Sequence, residues 1–267
     1  MKSAERKVYA PVPEVLAQVK ERLDRGDRPD VITISGSGEP TLHREIGQVI
    51  AGIKGLSAVP VAVLTNGSLL FRPEVRAALR SADIVKPDLD AGSAELFERI
   101  NRPHPDLNFT GIVEGLEAFA DEFQGRLLLE VFLLGGLNDQ EGAVNKIAAL
   151  ARRLKGARVQ LNTVTRPAAE EFARRVPRER LLELARLFDP AAEVIADFKG
   201  ESKTGAAGRA SREEVLEMLA RRPCTTQDIA SGLGLNIVEA AKIVEELLAE
   251  WRIGRLVEGG QSYYHVR

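Results

Sequence analysis

Between residues 31 and 196 the sequence alternates short apolar runs with longer amphipathic ones. The apolar runs are VITIS (31–35), VPVAVLTNGS (59–68), SADIVKPDLD (81–90), RLLLEVFLL (126–134), ARVQLNTV (157–164) and the shorter EVIA (193–196). Helical spacing fills the intervals at 45–54, 73–80, 94–101, 106–123, 141–154 and 178–188, and a further amphipathic helix precedes the first run. There, over 11–25, Val12, Val15, Leu16, Val19 and Leu23 recur at helical spacing and Gly26 closes the pattern. Strands alternating with helices of about a dozen residues specify βαβ units and a parallel sheet. Five or six such units in series fit an α/β fold of partial (βα)-barrel type better than a doubly wound sheet. The sequence does not fix closure.

The pattern changes after residue 198. KGESKTGAAGR (199–209) is small, polar and glycine-rich, the composition of a linker. Three short helical patterns follow (211–220, 226–231, 236–250), and then two strand patterns, 253–257 and 262–266, joined across Glu258-Gly259-Gly260. Three helices and a terminal hairpin read as a winged helix-turn-helix. The expected domains are a barrel over 1–198, a linker over 199–210 and a winged-helix module over 211–267.

Composition narrows the function classes. With 44% hydrophobic and 28% charged residues the chain reads as globular, and the net charge of −2 gives no overall basic field for nucleic acid or an anionic membrane. No signal-type or membrane-spanning apolar stretch is present, so a cytoplasmic protein with no membrane partner is expected. The one cysteine, Cys224, and three scattered histidines leave neither a disulfide framework nor a Cys-rich metal site.

Chemistry concentrates where strands end. The first run empties into Gly36-Ser37-Gly38-Glu39-Pro40, a side-chain-poor loop with a carboxylate and a helix-starting proline. The glycines let a ligand approach the backbone, and Glu39 suits a cationic amine and opposes a phosphate. An ordinary strand-to-helix turn accounts for the loop equally well. Side chains two apart on a strand share a face, so Lys86, Asp88 and Asp90 line one face of the third strand. Glu130 shares a face with Leu128 and Phe132 on the fourth, and Gln160 with Asn162 on the fifth. Strands buried on both sides would be apolar throughout, so this parity marks a site or a salt-bridged interior in which Lys86 pairs with Asp88 or Glu130. Thr65-Asn66-Gly67 ends the second strand at the same level.

The series SGSGEPTLH, LTNG, DIVKPDLDA, INRPH and VQLNTVTRP, in this order from Glu5 to about Pro167, resembles the radical S-adenosylmethionine superfamily. More narrowly, it resembles the iron–sulfur oxidoreductase branch with a C-terminal helical module. The resemblance implies a partial (βα)6 barrel, with S-adenosylmethionine and a 4Fe-4S cluster as cofactors and hydrogen abstraction by a 5′-deoxyadenosyl radical as the activity. It matches the loop that holds the methionine amine to Gly36, Ser37, Gly38 and Glu39, and later cofactor contacts to Thr65, Asn66, Lys86, Asp88, Glu130 and Asn162. One part of the family pattern is missing. ERKVYAPVPEVLAQV resembles the linker and first helix on the C-terminal side of the family's CxxxCxxC loop, and no cysteine precedes Cys224. The chain as given is therefore expected not to bind the cluster, and the coding sequence is expected to extend upstream of Met1. The rival is a shortened, non-catalytic binding or regulatory protein acting through its winged helix. A third reading, an unrelated barrel lyase using Lys86 as an amine, would need a carbonyl substrate.

Two expectations concern partners. A barrel without its first strand exposes the edge of 31–35, which favours self-association. The C-terminal module carries eight Lys and Arg against nine Asp and Glu over 209–267, and its third helix holds Glu239, Glu245, Glu246 and Glu250 against Lys242. That surface is wrong for phosphate neutralisation, so protein docking or substrate presentation is expected before DNA binding.

Overall fold

The computed structural model describes residues 5–26, 28–36, 38–164, 173–196, 211–258 and 260–267. Ser37, the Arg166-Pro167 loop and the proposed linker lie outside these. The chain divides into two compact units, Met1–Thr163 with Arg175–Ile195, and Val164–Arg174 with Ala196–Arg267.

In the first unit, six strands form one parallel sheet in chain order: β1 (Ile32–Ile34), β2 (Val61–Thr65), β3 (Ile84–Pro87), β4 (Arg126–Leu133), β5 (Arg158–Thr163) and β6 (Glu193–Val194). Helix α1 (Val12–Asp24) precedes them. The connections carry α2 (Ile46–Leu56), α3 (Pro73–Leu79), α4 (Ala94–Asn101), α5 (Phe109–Glu122), α6 (Glu141–Ala151) and α7 (Arg178–Ala185). A doubly wound sheet would reverse its strand order at a switch point; this one does not. Among the described residues β6 does not pair with β1, so the described sheet is an open stretch of barrel wall.

The register assigns a role to each face. Val61, Val63, Val85, Leu127, Leu129, Val131, Leu133 and Leu161 share one face, all 5% exposed or less, and form the core with the helices. Ile46, Ile50 and Ile53 of α2 and Ile112, Leu116 and Phe119 of α5 are buried at helical spacing and supply its other side. Opposite this core face, Thr33, Leu64, Lys86, Leu128, Glu130, Phe132, Gln160 and Asn162 are exposed or half-buried. The polar parity in the sequence therefore reports a second face that the helices leave uncovered.

Pro40 starts a helical turn of 3-10 type (Pro40–Leu42), and α2, expected over 45–54, runs over Ile46–Leu56. The Glu39 carboxylate accepts the Thr41 N–H (2.9 Å), and the Leu42 carbonyl is taken by the Lys7 N–H (3.1 Å), so the turn closes before a second helical turn forms. His43 then fixes the exit: its Nε2–H donates to the Ala10 carbonyl (2.8 Å) while Nδ1 accepts the Glu45 N–H (3.1 Å).

Among the described residues β1 pairs only with β2, and Thr33 is exposed beside the free edge. Sedimentation velocity should show association that grows with protein concentration, and Thr33→Lys should shift it toward monomer. A monodisperse monomer over the whole concentration range would contradict this.

The second unit contains α8 (Arg212–Arg221), α9 (Thr226–Leu233), α10 (Ile237–Ala249) and the antiparallel hairpin β7 (Ile253–Glu258) with β8 (Gln261–Val266). Capping boxes at Ser211/Glu214 and Thr225/Asp228 start the first two helices. Gly234, at φ 64°, ends α9 in the left-handed conformation that favours glycine. Val215, Leu219, Ile229, Val244 and Leu247 build the core around the buried Cys224. No helix among the described residues is long and apolar enough to cross a membrane.

Candidate functional site

The strand C-termini bring together two hydrogen-bonded groups of predicted residues. The first ties the loop after β1 to the end of β2. Glu39 Oε1 accepts from Thr41 N–H (2.9 Å), Thr41 Oγ1–H (2.6 Å) and Thr65 Oγ1–H (2.5 Å), and Oε2 accepts the Asn66 N–H (2.7 Å). Thr65 Oγ1 in turn accepts the Gly67 N–H (3.1 Å), and Asn66 Oδ1 caps the turn at Ser68 N–H (2.9 Å). Glu39, read as an amine holder, is thus first a clamp between two loops; one further lone-pair direction, on Oε2, remains for a ligand.

The second group crosses three strands. Lys86 on β3 is ion-paired with Glu130 on β4, and Glu130 Oε1 accepts from Asn162 Nδ2 on β5 (2.8 Å). Glu130 is thus the Lys86 partner, one of the two that the sequence left open. An ammonium bound to a carboxylate is not the free amine that a lyase would require.

Asp88 lies between the groups. It bridges to Glu130 through backbone pairing, and its carboxylate has no hydrogen-bond partner among the described residues. Its pKa is pushed up to about 8, first by burial, then by the charges of Asp90, Glu130 and Glu39, with Lys86 opposing. Four carboxylates around one lysine make a site that favours a cation.

Asp90 continues the expected parity, but it sits beyond the end of β3 and ties the end of α4 to β4. Its Oδ1 accepts the Phe132 N–H (2.9 Å) and its Oδ2 accepts from Asn101 Nδ2 (2.8 Å); burial raises its pKa to about 6. Asn138 completes this lock and was missed by sequence reasoning. It donates to the Asp90 and Phe132 carbonyls (2.7 and 2.9 Å) and accepts the Leu134 N–H (2.7 Å). The only sequence signal for it is its place in the polar turn after the apolar fourth strand.

A Cβ on Gly36 would meet only ordinary contact at 3.6 Å, one on Gly38 would meet nothing within 4 Å, and neither residue has a positive φ. Glycine here is not demanded by the chain's own packing, and the bare backbone leaves room for a ligand. A cavity of about 380 Å³ opens beside this loop, lined by Tyr9, Val15, Ile34, Gly36, Glu39 and Leu42 among others.

Comparison with known proteins fits this geometry. The chain is 32% identical over 260 residues to a protein named GTPase Obg from Brachyspira hyodysenteriae, covering 97% of this chain and 38% of that one. It is 34% identical over 239 residues to a UPF0026 protein of Helicobacter pylori strain 26695, covering 88% and 75% respectively. The chain thus spans well under half of the first relative and three quarters of the second. A radical SAM methyltransferase from Sphaerobacter thermophilus shares the fold at TM-score 0.54 and 20% identity, over 70% of this chain and 56% of that one. The Radical SAM superfamily profile matches residues 2–151, the stretch that supplies Glu39, Thr65, Lys86, Asp88 and Glu130. With the open parallel sheet and its polar rim already in place, that match identifies this chain as a member of the radical SAM superfamily.

Proposed function

We infer that this chain is the S-adenosylmethionine-holding barrel of a radical SAM enzyme acting on a substrate not yet identified. The observation that carries the reading is the Asp88 carboxylate, without a hydrogen-bond partner among the described residues, amid Glu39, Glu130 and Asp90 and beside a glycine loop whose own packing does not require glycine. S-adenosylmethionine carries a sulfonium and an ammonium, and these residues fit a cation. Glu39 Oε2 and the backbones of Gly36 and Gly38 would hold the amine. Asp88 would face positive charge, and Lys86, Asn162 and Thr65 would fix the carboxylates and the loop. These residues would bind and orient S-adenosylmethionine.

The 4Fe-4S cluster that the superfamily implies does not fit the residues present. The sole thiol, Cys224, is buried in the C-terminal unit with its Sγ 3.5 Å from the Arg222 carbonyl, and a cluster needs several thiolates. No electron-transfer step is assigned to this chain, and radical formation requires a thiolate set that these residues lack. The name of the Brachyspira relative does not carry over either, since GSGEPTLH lacks the Gly-Lys-Ser/Thr of a phosphate loop.

Calorimetric titration of S-adenosylmethionine should give weak, saturable binding that Glu39→Ala abolishes. Far-ultraviolet circular dichroism of the variant checks that the clamp's loss has not unfolded the barrel. Binding indifferent to Glu39→Ala in a folded variant would remove the loop from the site.

For the C-terminal module we infer protein docking. Arg212 holds Glu246 (2.5 Å) and Glu250 (2.7 Å), so the acidic side of α10 is partly neutralised internally. The start of α10 exposes Ile237 and Val238, the latter 74% exposed, where a base-reading helix would present polar groups.

A further inference from the structure

The opposite end of the sheet holds a second cavity, of about 360 Å³. It lies at the N-terminal end of β5, between the turn leaving α6 and the segment after α7. Its apolar lining includes Ala151, Leu154 and the buried ring of Phe188. Its charged lining is Arg152, Lys155 and Arg158 against one carboxylate, Asp189. The neighbouring cations are spoken for: Lys155 is paired with Asp121 (2.7 Å), and Arg153 with Glu117 (2.5 Å). Arg152 and Arg158 have no hydrogen-bond or ion-pair partner among the described residues.

A basic residue at a helix C-terminus complements the helix dipole, which accounts for Arg152 at the end of α6. It does not account for Arg158, which opens a strand and sits at the same cavity. Arg152 and Arg158 are exposed and line one cavity with Phe188, a combination that suits an oxyanion with a compact apolar body. Guanidinium forks match phosphate and carboxylate alike. A phosphate monoester offers three oxygens and, as a dianion, one charge for each guanidinium, where a carboxylate offers two oxygens and one charge. The cavity's volume falls at the lower end of small-molecule pockets, about 300–1,000 Å³, and exceeds what a bare phosphate fills.

We propose that the cavity between the α6–β5 turn and the segment after α7 binds a small phosphate monoester through Arg152 and Arg158, with its apolar group against Phe188. The site is distinct from the carboxylate cluster: Arg158 precedes Asn162 by four residues on β5, about 13 Å along the strand. It therefore does not rest on the assignment of S-adenosylmethionine.

The test uses the full chain at constant ionic strength, with phenyl phosphate, inorganic phosphate and benzoate as probes. Calorimetry should show phenyl phosphate binding at least about 5-fold more tightly than either other probe, since each supplies only half of the recognition. Arg152→Ser/Arg158→Ser should abolish that binding. Arg158→Lys, which keeps the charge and loses the fork, should weaken it partly, and Arg153→Ser should leave it unchanged. Benzoate binding as tightly as phenyl phosphate overturns the dianion assignment. Phenyl phosphate binding that survives the double substitution, or none at all in the unsubstituted chain, overturns the site.

Discussion

Lys86→Met should destabilise the first unit by about 2–3 kcal/mol in a urea melt, and adding Glu130→Gln should recover most of the loss. Lys86 is the one cation among the described residues that acts on Asp88 within this carboxylate cluster, and its pairing with Glu130 is largely shielded, with the two side chains 16% and 18% exposed. Removing one partner of such a pair leaves the other as an uncompensated charge, at about 3–5 kcal/mol when fully buried and less where water reaches it. In the double variant the amide at 130 still accepts the Asn162 Nδ2–H bond and carries no charge, so the repulsion with Asp88 disappears. A single-variant loss below about 0.5 kcal/mol would mean the pair behaves as a surface ion pair. The double variant also separates structure from cofactor holding. If it folds well but binds S-adenosylmethionine more weakly than the parent, the pair positions ligand as well as strands.

The fold was legible in the sequence because strand parity and helix periodicity are local. Leu127, Leu129, Val131 and Leu133 alternate with Leu128, Glu130 and Phe132, and the register puts the first set in the core and the second on the open face. The site was legible by residue and only partly by role. Lys86, Asp88, Glu130 and Asn162 converge because parallel pairing aligns neighbouring strands. Glu39 joined them through bonds to Thr65 and Asn66, 26 and 27 residues away in sequence, which no local pattern encodes. The same limit hid Asn138, whose partners at Asp90 and Phe132 meet only after β3 and β4 pair. Pro40 takes the first position of a 3-10 turn, where its fixed φ serves as it does in an α-helix.

Asp88→Asn should make the protein more stable at alkaline pH and flatten its dependence on pH. Folding moves the Asp88 pKa from 3.8 up to about 8, so between these values the folded state holds a proton that the unfolded state has lost. Stability therefore falls as pH rises through that window and levels off above about 8. Asp90, raised to about 6, adds a slope of the same sign at lower pH. Asp83 and Glu122 are held below their ordinary values by Lys54 and by Arg80 with Arg76, but burial opposes both effects and they act only toward acid pH. In the parent, stability should drop on the order of 1–2 kcal/mol from about pH 6 to about pH 8, and in Asp88→Asn most of that drop should vanish. Urea melts at three pH values measure it, and an unchanged slope would show that Asp88 is ionised throughout. The same proton offers a check on the ligand. A sulfonium or ammonium beside Asp88 favours its charged form, so binding S-adenosylmethionine near pH 7 should expel a proton. Titrations in buffers of different ionisation enthalpy would detect that release, and Asp88→Asn should remove it without removing the Glu39 clamp.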